Sequence, residues 1–247
     1  MRAAGKVVYR ALMRATELAR PGMTTGELDQ IVFETYTKAG GHGLFRWYPT
    51  YEPGRGFPGN TCISINDEVV HGIPGDRKLQ DGDIVSVDCG IRLGGYCGDS
   101  ATTILIGNVP EPARKLCQVT QETLAIAVRE IRPGRKWSDI ARLMQAHVEK
   151  NGFACVENFV GHGIGKDMHE APKVPNFVAT GAARRDDFYL QPGMTLAVEP
   201  MVIAGNKETV LLTDGWTVVT MDHTPAAHYE HTIAVTATGS DVLTDGR

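Results

Sequence analysis

Two kinds of hydrophobic pattern alternate along the chain: amphipathic stretches of helical period, and short apolar runs suited to strands. The first amphipathic stretch covers about residues 2–19 and predicts a helix stopped by Pro21-Gly22. Thr24 with Glu27 three places on is a capping-box signature, so a second helix is predicted to about Lys38, ended by Gly40-Gly41. Gly41 to Gly59 is rich in Gly, Pro and aromatics, among them Phe45, Trp47, Tyr48, Tyr51 and Phe57, and predicts a long loop of the kind usually kept for function. Strands are predicted at about 61–65, 68–71, 84–89 and 95–106. Pro110 opens a helix to about Ile131, Pro133-Gly134 breaks it, and Ser138 is placed to cap a fourth helix ending at Asn151-Gly152. The rest reads mainly as strand, at about 153–159, 195–199, 201–203, 208–212, 217–221 and 229–236. Helix pairs precede strands in each half, which predicts an α+β fold.

The pattern repeats. Gln80-Asp81-Gly82 leads through an apolar strand to Asp88, and Gln191-Pro192-Gly193 leads through another to Glu199, 111 residues further on. His71-Gly72-Ile73 echoes His162-Gly163-Ile164, and Arg20-Pro21-Gly22 echoes Arg132-Pro133-Gly134. The order of these features is the same in both halves, roughly 1–109 and 110–247, which predicts an internal duplication with a site at the join.

Composition narrows the setting. With 247 residues, 42% hydrophobic and 22% charged, the chain can bury one large core as a single catalytic domain over 1–247. A net charge of −4 offers no basic footprint for nucleic acid. Five scattered cysteines (Cys62, Cys89, Cys97, Cys117, Cys155) without a CxxC pair suit buried thiols in a reducing compartment. The N-terminus has no apolar signal core and no run is long enough to span a bilayer, so the expectation is a cytoplasmic protein with no membrane partner.

The candidate chemistry is carboxylate and imidazole. Asp99 follows Asp88 by eleven residues across a Gly-containing turn, the spacing of two antiparallel strands that bring both acids together. Like charges that close want a proton or a cation between them. Asp99-Ser100-Ala101-Thr102 and Glu230-His231-Thr232 are each an acid leading into a Thr-bearing strand, so each half offers two carboxylates, and His162 adds a nitrogen. Such donors suit divalent manganese, iron, cobalt or zinc. Four carboxylates with a hydroxide carry about −5, which two such ions nearly balance and one leaves near −3. Other chemistries lack their signatures. His169-Glu170 is followed by Ala171-Pro172-Lys173 and so is no zinc-protease helix; Gly161–Lys166 lacks the P-loop spacing, with Asp167 where Ser or Thr belongs; no G-x-S-x-G is present. His223, His228 and His231 could form a second metal site, but solvated or core roles suit His223 and His231 better, while His228 and Glu230 could share one strand face. Cys89 and Cys97 suit packing better than ligation.

Taken together, these residues resemble the type I methionine aminopeptidases over nearly the whole chain. The resemblance is carried by Pro21–Asp29, Ile63-Ser64-Ile65-Asn66, Val70–Pro74, Asp81-Gly82-Asp83, Gly161–Gly165, His169-Glu170, Glu199-Pro200 and Tyr229–Thr232. It implies the pita-bread fold, two pseudo-symmetric α+β halves around a dimetal site. It implies Asp88, Asp99, His162, Glu199 and Glu230 as ligands of two divalent ions (Co, Mn, Fe or Zn), with Asp99 and Glu230 bridging. It implies His71 and His169 as catalytic and substrate-contacting residues, Glu199 in proton transfer, and Phe57, Cys62, His71, Met168 and Trp216 around the first side chain. The implied activity is removal of the N-terminal Met from nascent polypeptides when the second residue is small, by a monomer that could meet them at the ribosome. Met168 stands where the family usually has Phe, Phe57 where Tyr is common, and His228 where Gln is common. An Xaa-Pro peptidase of the same fold, which usually carries a further N-terminal domain, and an inactive binding protein are the competing readings. The intact ligand set argues against the second.

Overall fold

The computed structural model describes residues 1–49, 56–181 and 186–247. Among them the chain order is α1 (Arg2–Leu18), α2 (Thr25–Lys38), β1 (His42–Gly43), β2 (Cys62–Ile65), β3 (Glu68–Val70), β4 (Ile84–Leu93) and β5 (Tyr96–Leu105). Then come α3 (Glu111–Glu130), α4 (Trp137–Lys150), β6 (Ala154–Cys155), β7 (Gly161–Gly163), β8 (Glu170–Val174), β9 (Thr195–Val198) and β10 (Met201–Ile203). The last strands are β11 (Thr209–Leu211), β12 (Val218–Thr220), β13 (Ala226–His228), β14 (His231–Val235) and β15 (Ser240–Val242).

Each half lays a helix pair on a sheet. The buried stripes of α1 (Val7, Val8, Ala11, Leu12) and α2 (Leu28, Val32, Tyr36) meet Val85, Val87, Cys89 and Ile91 of β4. In the second half, Leu124 and Ala127 of α3 and Trp137, Ile140 and Met144 of α4 meet Leu196 and Val198 of β9 and Ile233 and Val235 of β14. Full burial of one such aliphatic side chain contributes about 1.5–3 kcal/mol, so these stripes are what hold the helices to the sheets. The pleat of β4 then decides what faces inward. Its odd-numbered positions enter the helix layer, while Ile84 packs with Val202 and Ala227 of the other half and Asp88 lies on that same even-numbered face. The ten residues of β4 pair with β5 along their whole length; the other edge of β4 is shared by β2 at Val85–Asp88 and β1 at Ile91–Arg92. The second half has a five-stranded sheet in the order β15-β14-β9-β7-β8.

The duplication is visible in hydrogen bonds. Gly22 N–H donates to Leu79 O, and Gly134 N–H to Leu190 O, both at 2.8 Å, so each Arg-Pro-Gly turn docks beside the Gln-x-Gly turn of its own half. Gly82 N–H donates to Ile106 O and Gly193 N–H to Val235 O, with φ of 98° and 93° that only glycine adopts without strain. The His-Gly-Ile echo does not extend to the backbone. His162 lies within β7, whereas His71 follows β3 at φ 60°.

Several expected elements differ. The capping box at Thr24–Glu27 is formed as expected, but Ser138 does not cap α4. The helix starts two residues earlier, with Lys136 at the cap position, and Ser138 N–H is satisfied by the Asp187 carboxylate from a distant loop (3.0 Å). The 153–159 run yields only β6, while β1, β7, β8, β13 and β15 are strands with too few residues or too many glycines and charges to read as such. The 229–236 run yields β14, which begins only at His231; the break lies just before it, where His228 ends β13 and Glu230 N–H donates to Ala101 O of β5 (3.0 Å). His228 and Glu230 therefore do not share one continuous strand. Tyr51 and the rest of 50–55 lie outside the described residues of the long loop. All five cysteines are unpaired and buried.

Candidate active site

The β4–β5 register places the first two carboxylates. Asp88 pairs with Ala101 and Gly90 with Asp99, so Asp88 and Asp99 are diagonal neighbours on one sheet face. Gly90 is needed there: a Cβ would lie 2.7 Å from the Phe45 ring, 3.2 Å from Met168 Sδ and 3.3 Å from Asp99 Oδ1. In the second half His231 pairs with Val198, and continuing that register one step sets Glu230 opposite Glu199. The halves are stitched at this point. Asp99 N–H donates to Thr232 Oγ1 (2.9 Å), the Thr232 hydroxyl donates to Asp99 O (2.8 Å), and Ser100 Oγ donates to Glu230 O. Asn176 Nδ2 donates to Glu199 O (3.0 Å).

His162 enters from β7. Its Nδ1 lies 2.8 Å from Gly163 O. A carbonyl only accepts, so Nδ1 carries the proton and the lone pair of Nε2 is turned to Glu199 Oε1, 3.7 Å away. Asp99, His162 and Glu230 each bring one donor atom within 4.8 Å of the others. The His169 ring lies against that of His162, tilted by 59° with 4.2 Å between centroids, and meets the Tyr48 hydroxyl through Nδ1 at 2.9 Å. His71 is held edge-on by Phe159 (5.4 Å) and Trp216 (6.4 Å), with its left-handed backbone at a cost on the order of 1–2 kcal/mol. Above the carboxylates, Phe45, Phe57, Cys62 and Met168 form an apolar cluster joined by Trp216. Carboxylates, histidines and this cluster all line one cavity of about 230 Å³. Every site residue expected from the sequence thus lies at a single place.

The electrostatics of that place are those of acceptors facing acceptors. Burial and mutual repulsion push Asp88, Glu199 and Glu230 well above the carboxylate range, and burial pushes Asp99 up to about 7. Burial, with His169 nearby, holds His71 and His162 down at about 4, and burial also lowers His169. Burial, then Asp88, pushes the Cys62 thiol up, so it is a packing group and not a thiolate. Asp88 Oδ1 and Asp99 Oδ1 are buried with no hydrogen-bond partner among the described residues. Orphaned carboxylate oxygens beside an imidazole lone pair are a donor set for cations, and hard oxygen plus one nitrogen fits divalent first-row metals.

The pH dependence of metal binding follows. A carboxylate with a raised pKa, such as Asp99, stabilises the fold while protonated, and that contribution is lost as pH rises through about 7. His71 and His162 act oppositely: their contribution is present above about 6.5 and lost as pH falls through about 4. A divalent ion takes the place of the carboxylate protons, so the Tm gain from added Mn²⁺ is expected to be larger at pH 8 than at pH 5.5. Calorimetry of chelator-stripped protein measures it; an equal or smaller gain at pH 8 contradicts this account.

Over nearly its whole length the chain is similar to known proteins. The family model of metallopeptidase family M24 matches residues 1–237. Methionine aminopeptidase 1 of Bacillus subtilis is 45% identical over 244 residues, 99% of this chain and 94% of the relative. The chain belongs to metallopeptidase family M24. Within it, the methionine aminopeptidase of Escherichia coli K12 is 40% identical over 245 residues, 99% of this chain and 89% of that protein. The crystal structure of the Thermotoga maritima methionine aminopeptidase superposes with a TM-score of 0.92 at 40% identity, covering 99% of this chain and 94% of that one. The fold is the pita-bread fold. A prolidase from Pyrococcus horikoshii shares that fold alone, with a TM-score of 0.75 at 21% identity; this chain spans 61% of it.

Three contacts around the site had no motif to mark them, and a fourth had a motif that did not show its role. Tyr48 lies in the aromatic-rich loop, where composition signalled function but not which ring would reach His169. Phe159 and Asn176 precede and follow β7 with no pattern of their own. Thr232 stood in the Tyr229–Thr232 motif, but nothing in that motif showed that its hydroxyl ties the two halves together at Asp99.

Proposed function

We propose that this chain removes the N-terminal Met from polypeptides whose second residue is small, using divalent ions held by Asp88, Asp99, His162, Glu199 and Glu230. The observation that carries this reading is the convergence of buried acceptors, with His162 Nε2 turned toward Glu199, at the floor of an apolar, sulfur- and aromatic-lined socket. Asp99 and Glu230, whose donor atoms lie together with that of His162, would be the carboxylates shared by the ions if two are bound. Residues 1–247 act as one catalytic domain whose halves, 1–109 and 110–247, each contribute two carboxylates. The substrate is a nascent polypeptide met in the cytoplasm, at or near the ribosome, by a monomer. Among the described residues no helix is long and apolar enough to cross a membrane.

When bound, the ions supply Lewis acidity and acidify a water toward neutral pH. The protein does the rest. Glu199 takes the proton released as the peptide carbonyl is attacked and returns it to the departing amine. In this reading the Tyr48 hydroxyl, 2.9 Å from His169 Nδ1, donates there, and His169 then has an Nε2 proton to donate to the oxygen that gains charge. His71, fixed by Phe159 and Trp216, stands beside the scissile amide. Phe57, Cys62, Met168 and Trp216 take the first side chain, where sulfur–aromatic contacts are worth about 0.3–1.5 kcal/mol each. The second residue lies where His71 and His169 crowd the backbone, which excludes large side chains.

The test is a stripped enzyme reloaded with one metal at a time, Mn, Co, Fe or Zn, and offered tripeptides varied at their first two positions. Chelation should abolish turnover. Met-Ala-Ser, Met-Gly and Met-Ser peptides should be cleaved, and Met-Leu and Met-Lys peptides should be slower by about 10²-fold or more, ~2.7 kcal/mol in the barrier. Norleucine in first position should be tolerated, since it keeps the shape of Met. Equal rates for Met-Ala and Met-Leu would reject the size exclusion, and cleavage only before proline would move the activity to the Xaa-Pro class.

A further inference from the structure

His228 has no part in the chemistry above, yet it stands beside it. It is 2% exposed, on β13, and faces Met201 of β10, two residues beyond Glu199. Its backbone is clamped to the first half of the molecule. Its N–H donates to Thr103 Oγ1 (3.0 Å), the Thr103 hydroxyl donates to its carbonyl (2.8 Å), and Ser86 Oγ supports Thr103 at 2.9 Å. The imidazole therefore has a fixed base and little freedom to turn away. His228 Nε2 is buried and has no hydrogen-bond partner among the described residues. Glu199 Oε2 lies 3.8 Å from it, while the other oxygen of the same carboxylate, Oε1, faces His162 Nε2 at 3.7 Å. His228 does not belong to the group of Asp99, His162 and Glu230 whose donor atoms lie within 4.8 Å of one another. It sits behind Glu199. Buried polar nitrogens are kept where they have a partner, and a small rotation of the Glu199 carboxyl closes the gap to hydrogen-bonding distance.

We propose that His228 is a positioning residue for Glu199: its Nε2–H donates to Glu199 Oε2 and holds Oε1 toward His162 and the metal position. The inference rests on Glu199 being a metal ligand. A carboxylate gripped from behind loses no rotational freedom when it takes an ion, and such outer partners typically contribute 10- to 100-fold in metal affinity.

The experiment is Mn²⁺ titration into chelator-stripped protein, with free Mn²⁺ followed by electron paramagnetic resonance, and steady-state kinetics on Met-Ala-Ser beside it. His228→Leu, which lacks a donor, is expected to weaken Mn²⁺ binding by about 10- to 100-fold. It should lower kcat per bound ion while KM stays within about twofold, since the substrate socket is untouched. His228→Gln should restore both. His228→Met, unbranched and also without a donor, takes the place of Leu if that variant does not fold. Wild-type Mn²⁺ affinity in the Leu or Met variant overturns the proposal, as does a Gln variant no better than Leu. Glu199→Gln separates the two readings. If it binds Mn²⁺ like wild type, Glu199 is no ligand and both fall; if it loses the ion while His228→Leu keeps it, only the role of His228 falls.

Discussion

Asp99→Asn is expected to be among the most damaging single side-chain changes in this protein: bound metal falls relative to wild type and turnover drops by about 10³-fold or more, ~4 kcal/mol in the barrier. Asp99 is on the seam between the halves. Its backbone is held by Thr232 on one side and paired with Gly90 on the other, so the carboxyl cannot move to compensate for an altered head group. Asp99 Oδ1 is buried without a hydrogen-bond partner among the described residues, and its neighbours Asp88, Glu199 and Glu230 feel its charge. An amide has the same shape but one acceptor oxygen and no charge, so it cannot serve two cations at once. It also relieves the repulsion that raises the other three carboxyls, so the metal-free Asn variant should melt higher than metal-free wild type. Metal analysis, kinetics and melting of both stripped proteins measure these together. Near-wild-type turnover with two ions bound in the variant would reject the bridging role.

His169→Ala should leave metal content unchanged and lower kcat per loaded site by about 10²- to 10³-fold, the usual loss for one donor to a developing oxyanion. The geometry behind this is the Tyr48 hydroxyl at 2.9 Å from Nδ1, which in the proposed reading donates there so that Nε2–H is the donor to substrate, and the packing of the ring against His162, outside the group of metal donors. Tyr48→Phe should show a weaker form of the same defect, because the ring keeps its place against His162 but loses the group that sets its tautomer. Loss of metal with an unchanged rate per occupied site in His169→Ala would make it a ligand instead.

Much of this site was legible in the sequence because its parts obey local rules. A capping box, an Arg-Pro-Gly stop or a Gln-x-Gly turn is set by a few adjacent residues, and each formed where it was expected. The repeat located Asp88 and Glu199 as a pair, and the eleven-residue spacing across a turn required Asp99 to return toward Asp88, because strand geometry leaves few alternatives. What the chain could not announce is whatever depends on segments distant in sequence. Ser138 looked like a cap, but Asp187 reaches its N–H from nearly fifty residues away. His228 and Glu230 looked like one strand face until Glu230 N–H turned to Ala101 of the other half. The two His-Gly-Ile segments share letters yet differ in backbone, one in a strand and one left-handed, because their neighbours in space differ. Residue types and spacing thus determined the ligand chemistry and the duplicated frame. The tertiary structure alone decided how the halves meet, and so which acceptors face one another: desolvation and electrostatic repulsion act through space, across 111 residues of chain as readily as across two.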